Sequence, residues 1–328
     1  MQVKPTQVKT LKVVGKKVTG FKIASIITHE TLNTDLANSD FLPENIIVNI
    51  DLIRNGKRHP LVPQAPLKTL VLASNLYNAT WEKTAPGMSA SAATVLQEKA
   101  ADKYEQWLYE LSINFGGCID LQNGDALEAK FNYQASAVVA ASVNETTSYL
   151  EIEPIENPEG VEEYTPGIIV EQLEAGLNNW NKKFDRVKEV VFINLDKTGV
   201  DIASAPISNC NVSSKYVNYS YTYFLMLAER ARNFVTSAAN AARCQCFHLL
   251  STPVSPSVDI NLTLTSGNVN ANKCFVVIFT GYQSNRLFRL ADVRSRKMQA
   301  EQLIQAGAPV STKAIAEINN NELAYQPK

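Results

Sequence analysis

One pattern, strands followed by a polar amphipathic stretch and then more strands, runs twice along this 328-residue chain, and it restricts the fold more than any other feature. In the first pass, alternating segments at Phe21–Thr31 and Ile46–Ile53 lead to a predicted helix over Ser91–Trp107, after which strands resume at Leu111–Phe115 and Leu127–Tyr133. In the second, Val190–Asn194 and Val217–Tyr223 lead to a predicted helix over Met226–Ala242, followed by strands at Gln245–Leu250, Val258–Leu264 and Phe275–Thr280. A chain this long exceeds what one hydrophobic core covers, so two units of about 160 residues are the natural division. The expectation is an all-β protein made of two similar sandwiches with a few short helices.

Local signals support the strands. Ile46, Val48, Ile50 and Leu52 alternate with Asn49 and Asp51, the period-2 mark of a half-buried strand. Asn55-Gly56 tolerates positive φ at both turn centres and predicts a tight hairpin returning through Arg58–Val62, while Pro60, Pro63 and Pro66 mark an edge or loop. Ile119 and Leu121 lead into Asn123-Gly124-Asp125, and Leu127, Ala129, Phe131 and Tyr133 leave it in strict alternation, which predicts a second hairpin of fixed register. Gly116-Gly117 suggests a bulge or bend just before it. Ser266-Gly267-Asn268 predicts another hairpin, between Ile260–Leu264 and Phe275–Thr280, and Ile169–Asn178 a short helix.

Acid, proline and glycine concentrate in Glu151–Gly167, a composition that disfavours regular structure. The domain boundary is placed there. The resulting division is a basic arm over 1–20, a first sandwich over 21–160, a second over 161–285, and a C-terminal helix and tail over 286–328.

Net charge is −1 and the charged fraction 19%, below the roughly 25% of an ordinary soluble domain. Asn, Ser and Thr fill the difference, as they do where much surface meets neighbouring subunits or where loops are rich in Asn. The near-neutral balance argues against a sequence-specific nucleic-acid role and leaves any polyanion contact to local patches. Two such patches are candidates for membrane or partner contact: Lys4, Lys9, Lys12, Lys16 and Lys17 near the N-terminus, and Arg286, Arg289, Arg294, Arg296 and Lys297, which alternate with apolar residues in a helix-compatible way. No apolar h-region follows the N-terminal lysines, and Ala135–Val143 is far short of the ~20 residues a spanning helix needs.

The cysteines, Cys118, Cys210, Cys244, Cys246 and Cys274, are too sparse for a disulfide scaffold and read as buried small hydrophobes of a reducing compartment. Cys244, Cys246 and His248 share strand parity, but three ligands on alternate positions of one strand do not readily converge on a tetrahedral ion, so no metal site is expected. His29, His59 and His248 sit in no nucleophile motif, and no phosphate loop, zinc-protease motif or dinucleotide fingerprint occurs; neither a cofactor nor an enzymatic activity is expected. Two carboxylates of a glycosidase can still lie unrecognised among Asp51, Asp120, Asp125 and Asp201. The row Val217, Tyr219, Tyr221, Tyr223 suits core or interface packing, or alternatively a sugar-stacking platform.

The order of the Ile46–Ile53 strand, the Asn55-Gly56 turn, the helix over Ser91–Trp107 and the Ile119-Asp-Leu-Gln-Asn-Gly-Asp-Ala-Leu127 hairpin resembles the first jelly roll of the double jelly-roll major capsid proteins of icosahedral phages with an internal membrane, of the corticovirus and lipid-containing Flavobacterium phage types. Over the second half the resemblance rests on element order and length. It implies two tandem jelly-roll sandwiches and a homotrimer that mimics a hexagon. It further implies contacts with neighbouring capsid trimers and with penton or spike proteins, anionic lipid beneath the shell, and a location in the virion after synthesis in the host cytoplasm. The alternative open at this point is a carbohydrate- or receptor-binding β-sandwich protein.

Overall fold

The computed structural model describes residues 1–29, 41–74, 94–97, 105–122, 124–138, 143–162, 164–194, 207–213, 218–222, 244–248, 258–265 and 273–283. In the first half these form β1 (Gln2–Val3), β2 (Val8–Val14), β3 (Lys17–His29), β4 (Ile46–Arg54), β5 (Lys57–Pro66), helix α1 (Leu67–Ser74), β6 (Thr94–Gln97), β7 (Glu105–Asp120), β8 (Ala126–Tyr133) and β9 (Tyr149–Glu156). The second half holds β10 (Tyr164–Gln172), β11 (Asn179–Phe184), β12 (Val187–Asn194), β13 (Ile207–Ser213), β14 (Asn218–Thr222), β15 (Cys244–His248), β16 (Val258–Leu264) and β17 (Cys274–Gln283).

Pairing repeats strictly. The first half makes sheets β1-β9-β3-β7-β6 and β2-β8-β4-β5, and the second makes β10-β17-β12-β15 and β11-β16-β13-β14. With β6 set aside and the others of each half numbered one to eight along the chain, both halves read 1-8-3-6 and 2-7-4-5. That shared order is the jelly roll, written twice.

The order corrects two expected hairpins. β7 and β8 flank the Asn123-Gly124-Asp125 turn but belong to opposite sheets, and so do β16 and β17 around Ser266-Gly267-Asn268. Turn residues announce a reversal of direction; they carry no information about which sheet receives the chain afterwards. The Asn55-Gly56 turn does join paired neighbours, β4 and β5, with φ of 53° and 71° as a primed turn requires.

Four further expectations change. The predicted helix over Ser91–Trp107 is replaced by β6 and the start of β7, because Trp107, Tyr109, Leu111, Ile113 and Phe115 continue a buried period-2 row from that point. Among the described residues the helix of this connection is α1, whose Leu67, Thr69, Leu70, Val71, Leu72, Ala73 and Ser74 are all buried; a helix buried on nearly every side gives no amphipathic signal. Ile169–Asn178 is no helix either, since β10 runs through Gln172. The N-terminal stretch is not a free arm: β1, β2 and β3 pair with β9, with β8, and with both β7 and β9. Glu151–Gly167 is mostly strand, and only residues 157–163 separate β9 from β10.

The expected rows pack as written. Ile46, Val48, Ile50 and Leu52 of β4 face Leu127, Ala129, Phe131 and Tyr133 of β8 in register, all within 1% of full burial. At Gly20, next to a shift in register, a Cβ would lie 2.0 Å from the Ile113 carbonyl oxygen, so only glycine fits. Gly116 carries the predicted bend at φ 70°.

Two strands in the second half lack alternation altogether: Val190-Val-Phe-Ile193 in β12 and Cys274-Phe-Val-Val-Ile-Phe279 in β17. Both are buried on both faces. Cys274, Val276, Ile278, Val190 and Phe192 enter the second core, while Phe275, Val277, Phe279, Val191 and Ile193 join the core cluster of the first sandwich. Contacts of α1 with β12, and of β10 with β5 and β7, place this sheet face across the side of the first sandwich where β5, α1 and β7 lie. The two sandwiches are therefore fused through apolar packing.

Candidate assembly junction

Above the apolar seam the two sandwiches are tied by a charged cluster. In β4 the core-facing row Ile46, Val48, Ile50, Leu52 continues at the same parity to Arg54, a cation at the end of an apolar row that needs an anion nearby. The anions come from far along the chain. Arg54 Nη1 and Nη2 donate to Glu162 Oε1 and Oε2 at 2.8 and 2.9 Å, a two-pronged pair, and Nε donates to Asp125 Oδ2 at 2.6 Å. Nη1 also reaches Thr165 Oγ1 at 3.2 Å, and Nη2 the Asp120 carbonyl at 3.3 Å. Glu162 is saturated: Thr165 Oγ1 donates to Oε1 at 2.6 Å and the Asp120 amide to Oε2 at 2.8 Å.

Arg54 belongs to the first sandwich, Glu162 to the connection, and Thr165 to the first strand of the second. The cluster thus clamps three pieces of the molecule at one point. Side-chain exposures of 22% for Arg54, 6% for Glu162 and 14% for Asp125 keep water from replacing these bonds. Burial works against ionised Glu162, but the hydrogen bonds from Arg54 and Thr165, the charge of Arg54 and the Asp120 amide outweigh it and hold the carboxyl below its ordinary range. Burial likewise opposes the guanidinium charge of Arg54, and Glu162 and Asp125 more than compensate. A second tie lies nearby, where Lys188 Nζ of β12 donates to the Gly116 carbonyl of β7 at 2.8 Å. In the sequence, Asp120 and Asp125 stand out as turn acids and Glu162 as one of the acids of the Glu151–Gly167 stretch. The signal for Arg54 was its parity; nothing local pointed to Glu162 as its partner.

The N-terminal lysines do not form one patch. Lys4 and Lys9 lie at one end of β2, where their ammonium groups donate to the Thr146 and Gln2 carbonyls at 2.7 and 2.8 Å. Lys16 and Lys17 follow the other end, roughly 20 Å away at ~3.3 Å per residue, and Lys16 is paired with Glu156. Lys12 is exposed between them, in register with Glu128 of β8, which itself binds Arg58 at 2.7 Å. The predicted contact residues Arg286, Arg289, Arg294, Arg296 and Lys297 lie outside the described residues, as do Tyr223 and the predicted helix over Met226–Ala242. Tyr219 and Tyr221 stand in register with Val212 and Cys210, which are fully buried in the second core.

No protein-family model and no curated protein sequence matches the chain. Among solved structures, the crystal structure of the STIV MCP, a major capsid protein, superposes with a TM-score of 0.55 at 11% identity, covering 85% of this chain and 92% of that one. A chain from the atomic structure of Sulfolobus turreted icosahedral virus gives 0.52 at 10% identity, over 99% of this chain and 97% of that one. At these identities the likeness is one of fold. The chain has the double jelly roll of those capsid proteins.

Proposed function

We propose that this chain is a major capsid protein of an icosahedral bacteriophage, assembling as a homotrimer whose six like sandwiches form a pseudo-hexagonal tile over an internal membrane. The observation that carries the reading is the repetition of one strand order in two sandwiches held rigidly by an apolar seam and the Arg54–Glu162 clamp. Two near-equivalent units per chain, times three chains, give six near-equivalent edges, and a rigid joint keeps the angle between units constant across a lattice. A fold likeness that spans 99% of this chain and 97% of the other agrees with this. Neighbouring trimers and penton or spike proteins are the partners the reading requires. It locates the chain in the virion shell and gives it no enzymatic role.

The expected result of size-exclusion chromatography with light scattering is a stable species of three times the 36.1 kDa chain mass. A monomer at every concentration would remove the reading.

Contact with anionic lipid is assigned first to the C-terminal set, Arg286, Arg289, Arg294, Arg296 and Lys297, and second to Lys4, Lys9, Lys12, Lys16 and Lys17. The N-terminal lysines are split between two ends of β2, and three of them already have partners in the fold. A basic residue near an anionic surface contributes about 1 kcal/mol, so neutralising the C-terminal five is expected to abolish flotation with phosphatidylserine vesicles at low salt, and neutralising the N-terminal five to reduce it less. Flotation unchanged by both sets would rule lipid contact out.

A further inference from the structure

A strand at the rim of a sheet leaves amides and carbonyls unpaired, and proteins ordinarily blunt such rims with proline, shifts in register or brevity. Among the described residues, the first sandwich does so at three of its four rims. β1 is two residues long with Pro154 on β9 beyond it, β6 has four residues, and β5 carries Pro60, Pro63 and Pro66 with two shifts against β4. β2 is the exception: Val8–Val14 holds no proline and pairs with β8 in unbroken register. Its ladder defines the open side. The Tyr133 N–H donates to the Gln7 carbonyl at 3.0 Å, so antiparallel alternation turns Lys9, Leu11 and Val13 toward β8 and aims the N–H and C=O groups of Val8, Thr10, Lys12 and Val14 off the rim. Among the described residues no strand lies beyond it.

We infer that β2 binds an extended, acidic segment of a different protein, which joins the β2-β8-β4-β5 sheet as a further strand. The inference goes beyond the capsid reading and does not depend on the trimer. Main-chain hydrogen bonds to the four outward residues supply affinity, and the side chains along the rim select the partner. Those side chains are apolar at both ends and cationic between. Val8 and Val14 are 51% and 54% exposed, where the described fold leaves few other large apolar side chains in water. Lys9 and Lys12 are exposed as well. The Lys9 ammonium meets only the Gln2 carbonyl, and Lys12 pairs with no described carboxylate, because its cross-strand neighbour Glu128 is held by Arg58 at 2.7 Å. Residues 1–29 contain six lysines and no acid, so a second copy of β2 would set lysine against lysine, whereas acids opposite Lys9 and Lys12 complement them.

The test titrates the full chain into the labelled peptide Val-Thr-Glu-Val-Thr-Glu-Val, which as an antiparallel strand sets valines opposite Val14 and Val8 and glutamates opposite Lys12 and Lys9. Saturable binding is expected by fluorescence anisotropy, weakened at least tenfold by Thr10→Pro and lost when lysines replace the peptide's glutamates. Thr10→Pro deletes one outward N–H and no bond to β8, so its melting temperature is expected to stay close to that of wild type. If the melting temperature falls, amide exchange on the wild-type protein decides without a variant: the Thr10 and Lys12 amides exchange fast in the free chain and become protected by the peptide. No saturable binding, equal binding of the lysine peptide, or a bound peptide that leaves both amides unprotected would each overturn the inference. So would amides already protected in the free chain together with self-association, read by light scattering, that Thr10→Pro abolishes; a second copy would then hold the rim.

Discussion

Val277→Asp is expected to be among the most damaging single changes in this chain, costing at least ~4 kcal/mol of stability, the range reached when an unpaired charge enters a core. Val277 is fully buried in the middle of β17 and faces the first sandwich together with Phe275, Phe279, Val191 and Ile193. An aspartate there meets no cation and no water, and it lies in the layer that makes two sandwiches one body. Urea unfolding followed by both near-ultraviolet and far-ultraviolet signals is the measurement. The variant is expected to lose the second sandwich's packing at far lower urea than wild type, and trimer formation with it. A loss under ~1 kcal/mol would mean that the seam is not dry and that the joint is held by something else.

Glu162→Gln carries the second large effect. Removing one partner of a buried ion pair typically costs about 3–5 kcal/mol, and the lower end is expected here because Asp125 still engages Arg54 at 2.6 Å. The pH dependence is specific. The folded-state pKa of Glu162 lies below its ordinary value of 4.5, so its ionised form stabilises the fold fully above that value, and the contribution is lost as pH falls through the lowered folded-state pKa. The stability gap between wild type and Glu162→Gln is therefore expected to be widest at neutral pH and to close in acid, where wild-type Glu162 also becomes neutral. A gap of equal size at pH 7 and pH 3 would show that the variant acts through packing and not through the clamp's charge. Since Glu162 ties β10 to the first sandwich, the same acid range is where the joint loosens.

Much of this molecule was legible before any coordinates. The β4 and β8 rows, the Asn55-Gly56 hairpin and the division into two sandwiches follow from side-chain parity and turn chemistry, which act over a few residues and leave a periodic trace. The unbroken apolar runs of β12 and β17 marked strands too, and only the fold shows that such a run means two buried faces. The predicted helix is misplaced because α1 is buried on nearly every side and so shows no periodic face, while Glu98, Lys99, Asp102 and Lys103 lend 91–107 the pattern of one. The strands on either side of Asn123-Gly124-Asp125 and of Ser266-Gly267-Asn268, expected to form hairpins, belong to different sheets. Local chemistry sets where the chain reverses, and long-range packing decides which strand it then meets.

The candidate site divides the same way. Residue order by itself determined that the chain is β-built and doubled, and that its acids and bases balance to a net charge of −1. Only the tertiary structure decided that Arg54 closes on Glu162 across 108 positions of chain, that the N-terminal lysines are spread along a strand, and that one sheet of the second sandwich is walled in on both sides. Those are properties of distance in space, and a linear string records separation along the backbone alone.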